Sequence, residues 1–228
     1  MRLHRFYLAE SGAKNISKID NELFHQWKRV FRYGIGDQVI LFNGDGMERV
    51  YKFSVLEKDN TDLELVSEDK NGVLFSRNVS VYFSIIKKDN SEWVVEKGTE
   101  IGVSSFTPIV SERSEKKDIN IDRLKKITKE ASEQSGRPNI PEITEVVSLE
   151  EALSKVKGQV IVFHQTGNAI SDINLKKEVS LFIGPEGGWS DKEIELFHKK
   201  GIEFVSLGTQ TLRAETAVVV ATAIILSK

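Results

Sequence analysis

Leu181-Phe-Ile-Gly-Pro-Glu-Gly-Gly-Trp-Ser190 is the stretch on which the fold turns. Val179, Leu181, Phe182 and Ile183 make a short apolar run of the kind that fills a buried parallel strand. Pro185 ends that strand because it lacks a ladder donor, while Gly187 and Gly188 permit positive φ and let the backbone pass close to a ligand. Ser190 and Glu193 form the Ser-x-x-Glu pattern of a capping box, which predicts a helix through about His198. Strand, tight turn, helix is a ligand-binding geometry, since ligands of open α/β sheets sit beyond the carboxyl ends of the strands. A plain strand-to-helix connection accounts for the same glycines. The turn matches neither G-x-G-x-x-G nor the G-x-x-x-x-G-K-S/T phosphate loop, and no lysine follows it, so the usual phosphate cradles are unsupported.

A second loop of the same design tips this balance toward a ligand. Phe204-Val-Ser-Leu207 is another short apolar strand, Gly208-Thr-Gln-Thr-Leu212 turns, and Arg213-Ala-Glu-Thr-Ala217 opens a final helix. Two such loops close in sequence can wall one pocket. From Ala214 onward the closing helix is small or apolar on almost every face, which requires burial all round: a deep core position, or a subunit interface in a C2 dimer.

Working outward, 228 residues suffice for one large or two modest domains with real cores. Cysteine is absent, which excludes disulfides, thiolate metal sites and a thiol nucleophile. No His-x-x-x-His pair or Asp-rich cluster suggests a metal, and nothing resembles a Ser-His-Asp constellation. The first residues carry charge without an apolar core segment, and no apolar run approaches membrane-spanning length, so a cytoplasmic protein with no membrane partner is expected. The net charge of -2 argues against a whole-molecule grip on nucleic acid and leaves room for local patches.

The first third reads as a small β-rich unit, with strands over Val39–Phe42, Arg49–Val55 and Leu63–Val66 that suggest a small barrel. Ahead of them a helix is predicted over Leu23–Phe31, carrying His25, Lys28, Arg29 and Arg32. Nine basic residues stand against six acidic ones in the first 52, consistent with a solvated helix face or with RNA contact. A boundary falls around Glu68–Gly72. Beyond it strand and helix alternate, the sign of an α/β domain: strand Val79–Ile86, helix Glu92–Ile101 capped by Asn90 or Ser91, strand Phe106–Val110, helix Asp122–Ser135, helix Glu150–Val156 and strand Val160–Phe163. Arg113 and Arg137, in short polar stretches, can bind phosphate or carboxylate bidentately.

With these residues laid out, the chain resembles the RsmE family of 16S rRNA uridine-N3 methyltransferases in the SPOUT superfamily. Six segments carry the resemblance over essentially the whole length: His25-Gln-Trp-Lys-Arg-Val-Phe-Arg-Tyr-Gly-Ile-Gly-Asp37, Lys97-Gly-Thr-Glu-Ile-Gly-Val103, Arg113-Ser114, Glu130-Ala-Ser-Glu-Gln-Ser-Gly-Arg137, Ile183-Gly-Pro-Glu-Gly-Gly188 and Ser206-Leu-Gly-Thr-Gln-Thr-Leu-Arg-Ala-Glu-Thr-Ala217. Leu124 after Arg123 departs from the family's frequent Trp at that place. The resemblance implies a PUA-like β-barrel over residues 1–72 and an α/β SPOUT domain with a carboxyl-terminal trefoil knot over 73–228. It implies an S-adenosyl-L-methionine pocket from Phe163, His164 and Gln165, from Ile183, Gly184, Pro185, Gly187 and Gly188, and from Ser206, Leu207, Gly208 and Leu212. Arg213 becomes the candidate for stabilising anionic uracil or a phosphate and Glu215 a base or a structural anchor at the helix start. Arg2, Arg5, His25, Lys28, Arg29, Arg32, Arg113 and Arg137 become candidate RNA contacts. The implied partners are 16S rRNA in the small ribosomal subunit and a second copy of the chain, joined through the carboxyl-terminal domain, with no DNA. Action on another RNA nucleotide and a non-catalytic RNA-binding scaffold stay open as alternatives.

Overall fold

The computed structural model describes residues 3–17, 19–58, 60–73 and 75–228. The chain divides into two compact units: Met1–Val73 with Ser132–Ile140, and Leu74–Ala131 with Pro141–Lys228.

The first unit is built on one five-stranded sheet. Its elements in chain order are β1 (Arg5–Tyr7), β2 (Asn15–Ile16), α1 (Asn21–His25), β3 (Gln38–Phe42), β4 (Met47–Glu57) and β5 (Asn60–Lys70), paired in the order β1-β3-β4-β5-β2. β1 runs parallel to β3 and the other pairs are antiparallel. Pairing gives an open path with no closure between its ends among the described residues. The long β4–β5 ribbon carries two register shifts, the local irregularities that bend a ribbon and increase its twist. Phe6, Trp27, Leu41, Tyr51, Phe53 and Leu63 fill the core beneath.

The helix predicted over Leu23–Phe31 exists but changes character. Asp20 caps α1 through Leu23 N–H, and after one turn the chain widens into a π-helical turn over Gln26–Val30, closed by Phe31 N–H on Gln26 C=O. This turns Trp27 fully into the core and leaves Val30 69% exposed. Arg32 then takes a left-handed conformation, φ 58°, where a glycine ordinarily ends a helix; for an L-residue this costs roughly 1–2 kcal/mol. Ser132–Ile140 joins this unit through main-chain contacts: Glu133 accepts from Tyr7 N–H, and Asn71 donates to Gly136 C=O.

The second unit is a parallel sheet covered on both faces. It comprises β6 (Asn78–Ser84), α2 (Lys88–Ile101), β7 (Ser105–Val110), α3 (Ile121–Ser135) as far as Ala131, β8 (Glu142–Ile143), β9 (Val147–Ser148), α4 (Leu149–Lys155), β10 (Gln159–Ala169), β11 (Glu178–Ile183), α5 (Asp191–Lys199), β12 (Glu203–Ser206) and α6 (Ala214–Ser227). The order is β12-β10-β11-β6-β7-β8, with β9 also on β7, and every pairing is parallel. Alternation along β11 sends Val179, Leu181 and Ile183 to one face and Phe182 to the other. Val94 and Val95 of α2, Leu124 and Ile127 of α3 and Val218 of α6 cover the first face; Leu153 of α4 and Phe197 of α5 cover the second. Leu124 is fully buried there, so the smaller side chain packs without difficulty.

Two local expectations need correction. α2 starts at Lys88, not at Glu92: Ser91 is fully buried inside the helix, its hydroxyl turned back onto Ile86 C=O instead of capping. β10 runs to Ala169, well past Phe163, because Val205 of β12 pairs with both Phe163 and Asn168 across a register shift. In α6 the buried residues Ala214, Ala217, Val218, Ala221, Thr222 and Ile225 form one stripe, while Val219, Val220 and Ile224 are only half-buried and Ala223 is exposed. Among the described residues no helix is long and apolar enough to cross a membrane.

A candidate cofactor pocket at the carboxyl ends of the parallel strands

β10, β11 and β12 are neighbours in the sheet, so their carboxyl-terminal loops converge on one cavity of about 360 Å³. All the residues expected at a cofactor line it: Phe163, His164 and Gln165; Ile183, Gly184, Pro185, Gly187 and Gly188; Ser206, Leu207, Gly208 and Leu212.

The loop after β11 is braced from several sides. Gly188 N–H closes a turn on Pro185 C=O at 2.8 Å, and of the adjacent glycines only Gly188 uses positive φ, 67°. The capping box forms as expected: Ser190 Oγ accepts from Glu193 N–H, and a Glu193 carboxyl oxygen accepts from Ser190 N–H at 2.7 Å. The other Glu193 oxygen accepts from Glu112 N–H at 2.8 Å, and Ser190 Oγ donates to the Glu112 carboxylate at 2.6 Å. That hydroxyl, then Lys192, holds the exposed Glu112 carboxyl below its usual range. Arg113 donates from one Nη to Gly187 C=O at 3.0 Å and to Trp189 C=O at 3.1 Å. Gly184 lies close against the buried Trp189 ring: a Cβ there would sit 3.1 Å from it, so the ring would have to give by a few tenths of an ångström.

The loop after β12 is held more lightly. Ser206 Oγ accepts from Gly208 N–H and donates to Gly208 C=O, a local turn that uses φ 132° at the glycine. Gln165 donates its amide to Thr211 Oγ, linking this loop to the one after β10. His164 Nδ1 lies 2.9 Å from Thr166 Oγ and its ring stands edge-on to Phe204.

Several lining residues escaped the sequence reading. Glu186 and Trp189 lie inside the quoted stretch and Gln210 and Thr211 inside the second loop, so their positions alone could have named them. Ala214 and Ala217 line the cavity from the first turn of α6; two small residues at helical spacing were the available signal. Arg113, expected on RNA, is a pocket wall.

Arg213 and Glu215 do not line the cavity but stand immediately beyond Leu212. Arg213 is exposed at the N-cap position of α6, with its carbonyl accepting from Ala217 N–H. Glu215 is half-buried in the first turn, with carboxyl Oε2 buried and unpartnered.

The expected RNA contacts scatter. Arg2 lies outside the described residues. Arg5 is an internal brace, paired with Glu48 at 2.7 Å, donating to Arg137 C=O at 3.2 Å and lying over the Phe42 ring. Arg137 is 2% exposed, and burial pushes its guanidinium down to about 10, still charged at neutral pH. His25 is half-buried at the end of α1. Lys28, Arg29 and Arg32 are exposed.

Comparison with known proteins places this geometry. Residues 75–226 match the sequence family described as the RNA methyltransferase domain. The chain is 30% identical to ribosomal RNA small subunit methyltransferase E of Bacillus subtilis, over 87% of this chain and 85% of that one. It is 33% identical to the Aquifex aeolicus protein of the same name, over 75% and 78%. A methyltransferase from Legionella pneumophila, solved with the bound cofactor SAM, superposes with a TM-score of 0.92 at 28% identity, covering 100% of this chain and 98% of that one. Ribosomal RNA small subunit methyltransferase E of Neisseria gonorrhoeae, bound to S-adenosyl methionine, gives 0.90 at 27% identity, with 99% and 98% covered. A parallel sheet with three converging loops, a domain match over two thirds of the length and coverage of 78% to 98% of these relatives agree: the chain belongs to the ribosomal RNA small subunit methyltransferase E family.

Proposed function

We propose that this protein transfers a methyl group from S-adenosyl-L-methionine to N3 of one uridine in the 16S rRNA of the small ribosomal subunit. The observation that carries this reading is the convergence of the loops after three successive strands on one cavity lined by every residue expected at the cofactor. The donor set suits such a ligand. Ile183, Leu207 and Leu212 offer apolar walls, turn amides and carbonyls can meet an adenine edge, and the Glu186 carboxylate is compatible with a sulfonium. No phosphate lysine is needed, because this cofactor carries no phosphate.

When bound, the cofactor supplies an electrophilic methyl group. The chain must hold the uracil in line with it and manage the N3 proton, which leaves before or during attack. Arg213, exposed beside the cavity, stabilises the developing uracil anion. Glu215, with a carboxyl oxygen buried and unpartnered, accepts the proton or anchors the start of α6.

Residues 1–72 are assigned to RNA as a PUA-like barrel and 73–228 to catalysis. The bent β4–β5 ribbon over an aromatic core supports the barrel. The trefoil knot rests on the family resemblance; the register shift of β10 on β12 at Val205 and the close approach of Gly167, whose absent Cβ would fall 2.4 Å from Val205 backbone nitrogen, are compatible with it. A homodimer through α6 is supported by its incompletely covered outer face.

The test is methyl transfer from labelled S-adenosyl-L-methionine to small subunits lacking N3-methyluridine, with mass mapping of the product. Label at a single uridine N3 is expected. Label elsewhere would move the reading to another nucleotide, and absence of both cofactor binding and transfer would favour a scaffold. Arg213→Ala should lower kcat by about 100-fold or more while cofactor affinity stays within about threefold.

A further inference from the structure

Arg113, His164 and Glu186 are the ionisable side chains that line the cavity at the carboxyl ends of β10, β11 and β12. Two of them are committed to the protein. Arg113 donates to Gly187 C=O and Trp189 C=O, and its charge, with that of Lys192, acts on Glu112. His164 is turned through Nδ1 to Thr166, whose N–H donates to it and whose hydroxyl lies 2.9 Å away. Glu186 differs. It is the only carboxylate among the lining residues, it is exposed, and it takes part in no hydrogen bond or ion pair among the described residues. Its backbone is nonetheless fixed. Gly188 N–H closes on Pro185 C=O around it, so Glu186 is the first corner residue of the turn, and Arg113 grips the carbonyl of the second, Gly187. A braced corner thus presents to the cavity a negative charge that no protein cation neutralises.

S-Adenosyl-L-methionine offers that charge a complement. Methyl transfer breaks the S–CH3 bond, leaving its electron pair on sulfur, and forms the N3–CH3 bond as N3 gives up its proton. The demethylated product keeps the ammonium and carboxylate of its amino-acid end and loses only the sulfonium charge. Apolar walls and turn amides meet nearly the same atoms in both forms, whereas a carboxylate near the sulfur attracts one and not the other. The same attraction does not speed the transfer. Positive charge on sulfur fades toward the transition state, so the contact is stronger in the ground state and contributes to affinity, not to rate.

We propose that Glu186 is the specificity-determining residue by which the pocket tells the methyl-bearing cofactor from its demethylated product, holding the sulfonium and releasing the neutral thioether. This rests on the methyltransferase reading above and gives its cofactor pocket a means of product release.

The experiment titrates the full chain calorimetrically with S-adenosyl-L-methionine and with S-adenosyl-L-homocysteine, in the wild type and in Glu186→Gln, at low and high salt. Methyl transfer to small subunits lacking N3-methyluridine is measured in parallel. The substitution keeps the side chain's shape at an exposed position, and an unchanged melting temperature confirms that the fold is intact. Glu186→Gln should weaken the methylated form about threefold to tenfold and leave the demethylated form within twofold, a shift in the ratio of the two Kd values that added salt diminishes. KM for the cofactor should rise without a fall in kcat. Equal weakening of both forms would overturn the proposal and place the carboxylate on the ammonium they share. A fall in kcat with affinity for the methylated form intact would overturn it in favour of a proton acceptor, and an unshifted ratio would overturn it outright. A wild-type protein that binds neither form would sink the methyltransferase reading and this inference with it, whereas binding of both forms with an unshifted ratio sinks the inference alone.

Discussion

The two glycine loops of the pocket share a plan and differ in how they are held. The loop after β11 is fixed by a capping box, by the Glu112 carboxylate on Ser190 and by Arg113 across two of its carbonyls. The loop after β12 has the local Ser206–Gly208 turn and one side-chain bond from Gln165 to Thr211. One wall is pre-formed and the other is free to adjust, a division suited to a site that admits a cofactor and then a nucleotide. Changes to the first wall should therefore cost affinity steeply, and changes to the second gently.

The steepest test is Gly184→Val. A Cβ at this position already meets Trp189 at 3.1 Å, and the valine methyl groups add bulk in a loop braced from several sides. Overpacking of this kind costs about 1–3 kcal/mol, so calorimetric cofactor affinity should fall about 10- to 100-fold. Binding within twofold of wild type would mean that the first wall yields as readily as the second. Arg113→Ala comes next. It removes two charge-assisted bonds to carbonyls, discounted because the side chain is exposed, and should weaken the cofactor about threefold to tenfold. Its signature separates a pocket wall from an RNA contact: the cofactor Kd rises and the salt dependence of RNA binding stays put.

Why the pocket was legible and other regions were not follows from the distance over which each feature is encoded. Ile183-Gly-Pro-Glu-Gly-Gly188 and the Ser190–Glu193 box carry their instructions within a few residues, and β11, its turn and α5 fall where periodicity and capping place them. The parallel neighbours of β11 then bring the loops together. Arg5 and Arg137 show the opposite case. Arg137 lies in a polar stretch and Arg5 in a basic leading segment, and both look like surface contacts, yet their surroundings come from Glu48, Phe42 and a segment more than a hundred residues away. No local pattern announces that a cation will be buried. β1 and β2 escaped notice because strands of three and two residues have no periodicity to read. The π turn at Gln26–Val30 was invisible because its apolar spacing passes for an ordinary helix, and only the phase of Trp27 against Val30 reveals it.

The brace also predicts a response to pH. The Glu112 carboxyl titrates below its usual range because it accepts the Ser190 hydroxyl, so its help to the loop is present above the ordinary carboxylate range and lost as pH falls through the depressed value. Cofactor affinity in the wild type should weaken on acidification, and Glu112→Gln should remove that part of the profile. Ser190→Ala deletes the same contact together with the helix cap. It should lower stability by about 1 kcal/mol, read from chemical denaturation. A loss confined to stability, with the pH profile of cofactor binding unchanged, would assign Ser190 to capping alone.

The gentlest change is in the second wall. Thr211→Val keeps the shape of the side chain and removes the hydroxyl that accepts from the Gln165 amide, a bond between two exposed groups for which water is a ready substitute. Because Gly208 and Ser206 hold the turn by themselves, the loop should keep its shape, and the cofactor Kd should rise by less than about threefold. A loss as large as that of Arg113→Ala would reverse the comparison, making the Gln165–Thr211 link the strap that completes the pocket and the second loop as constrained in function as the first.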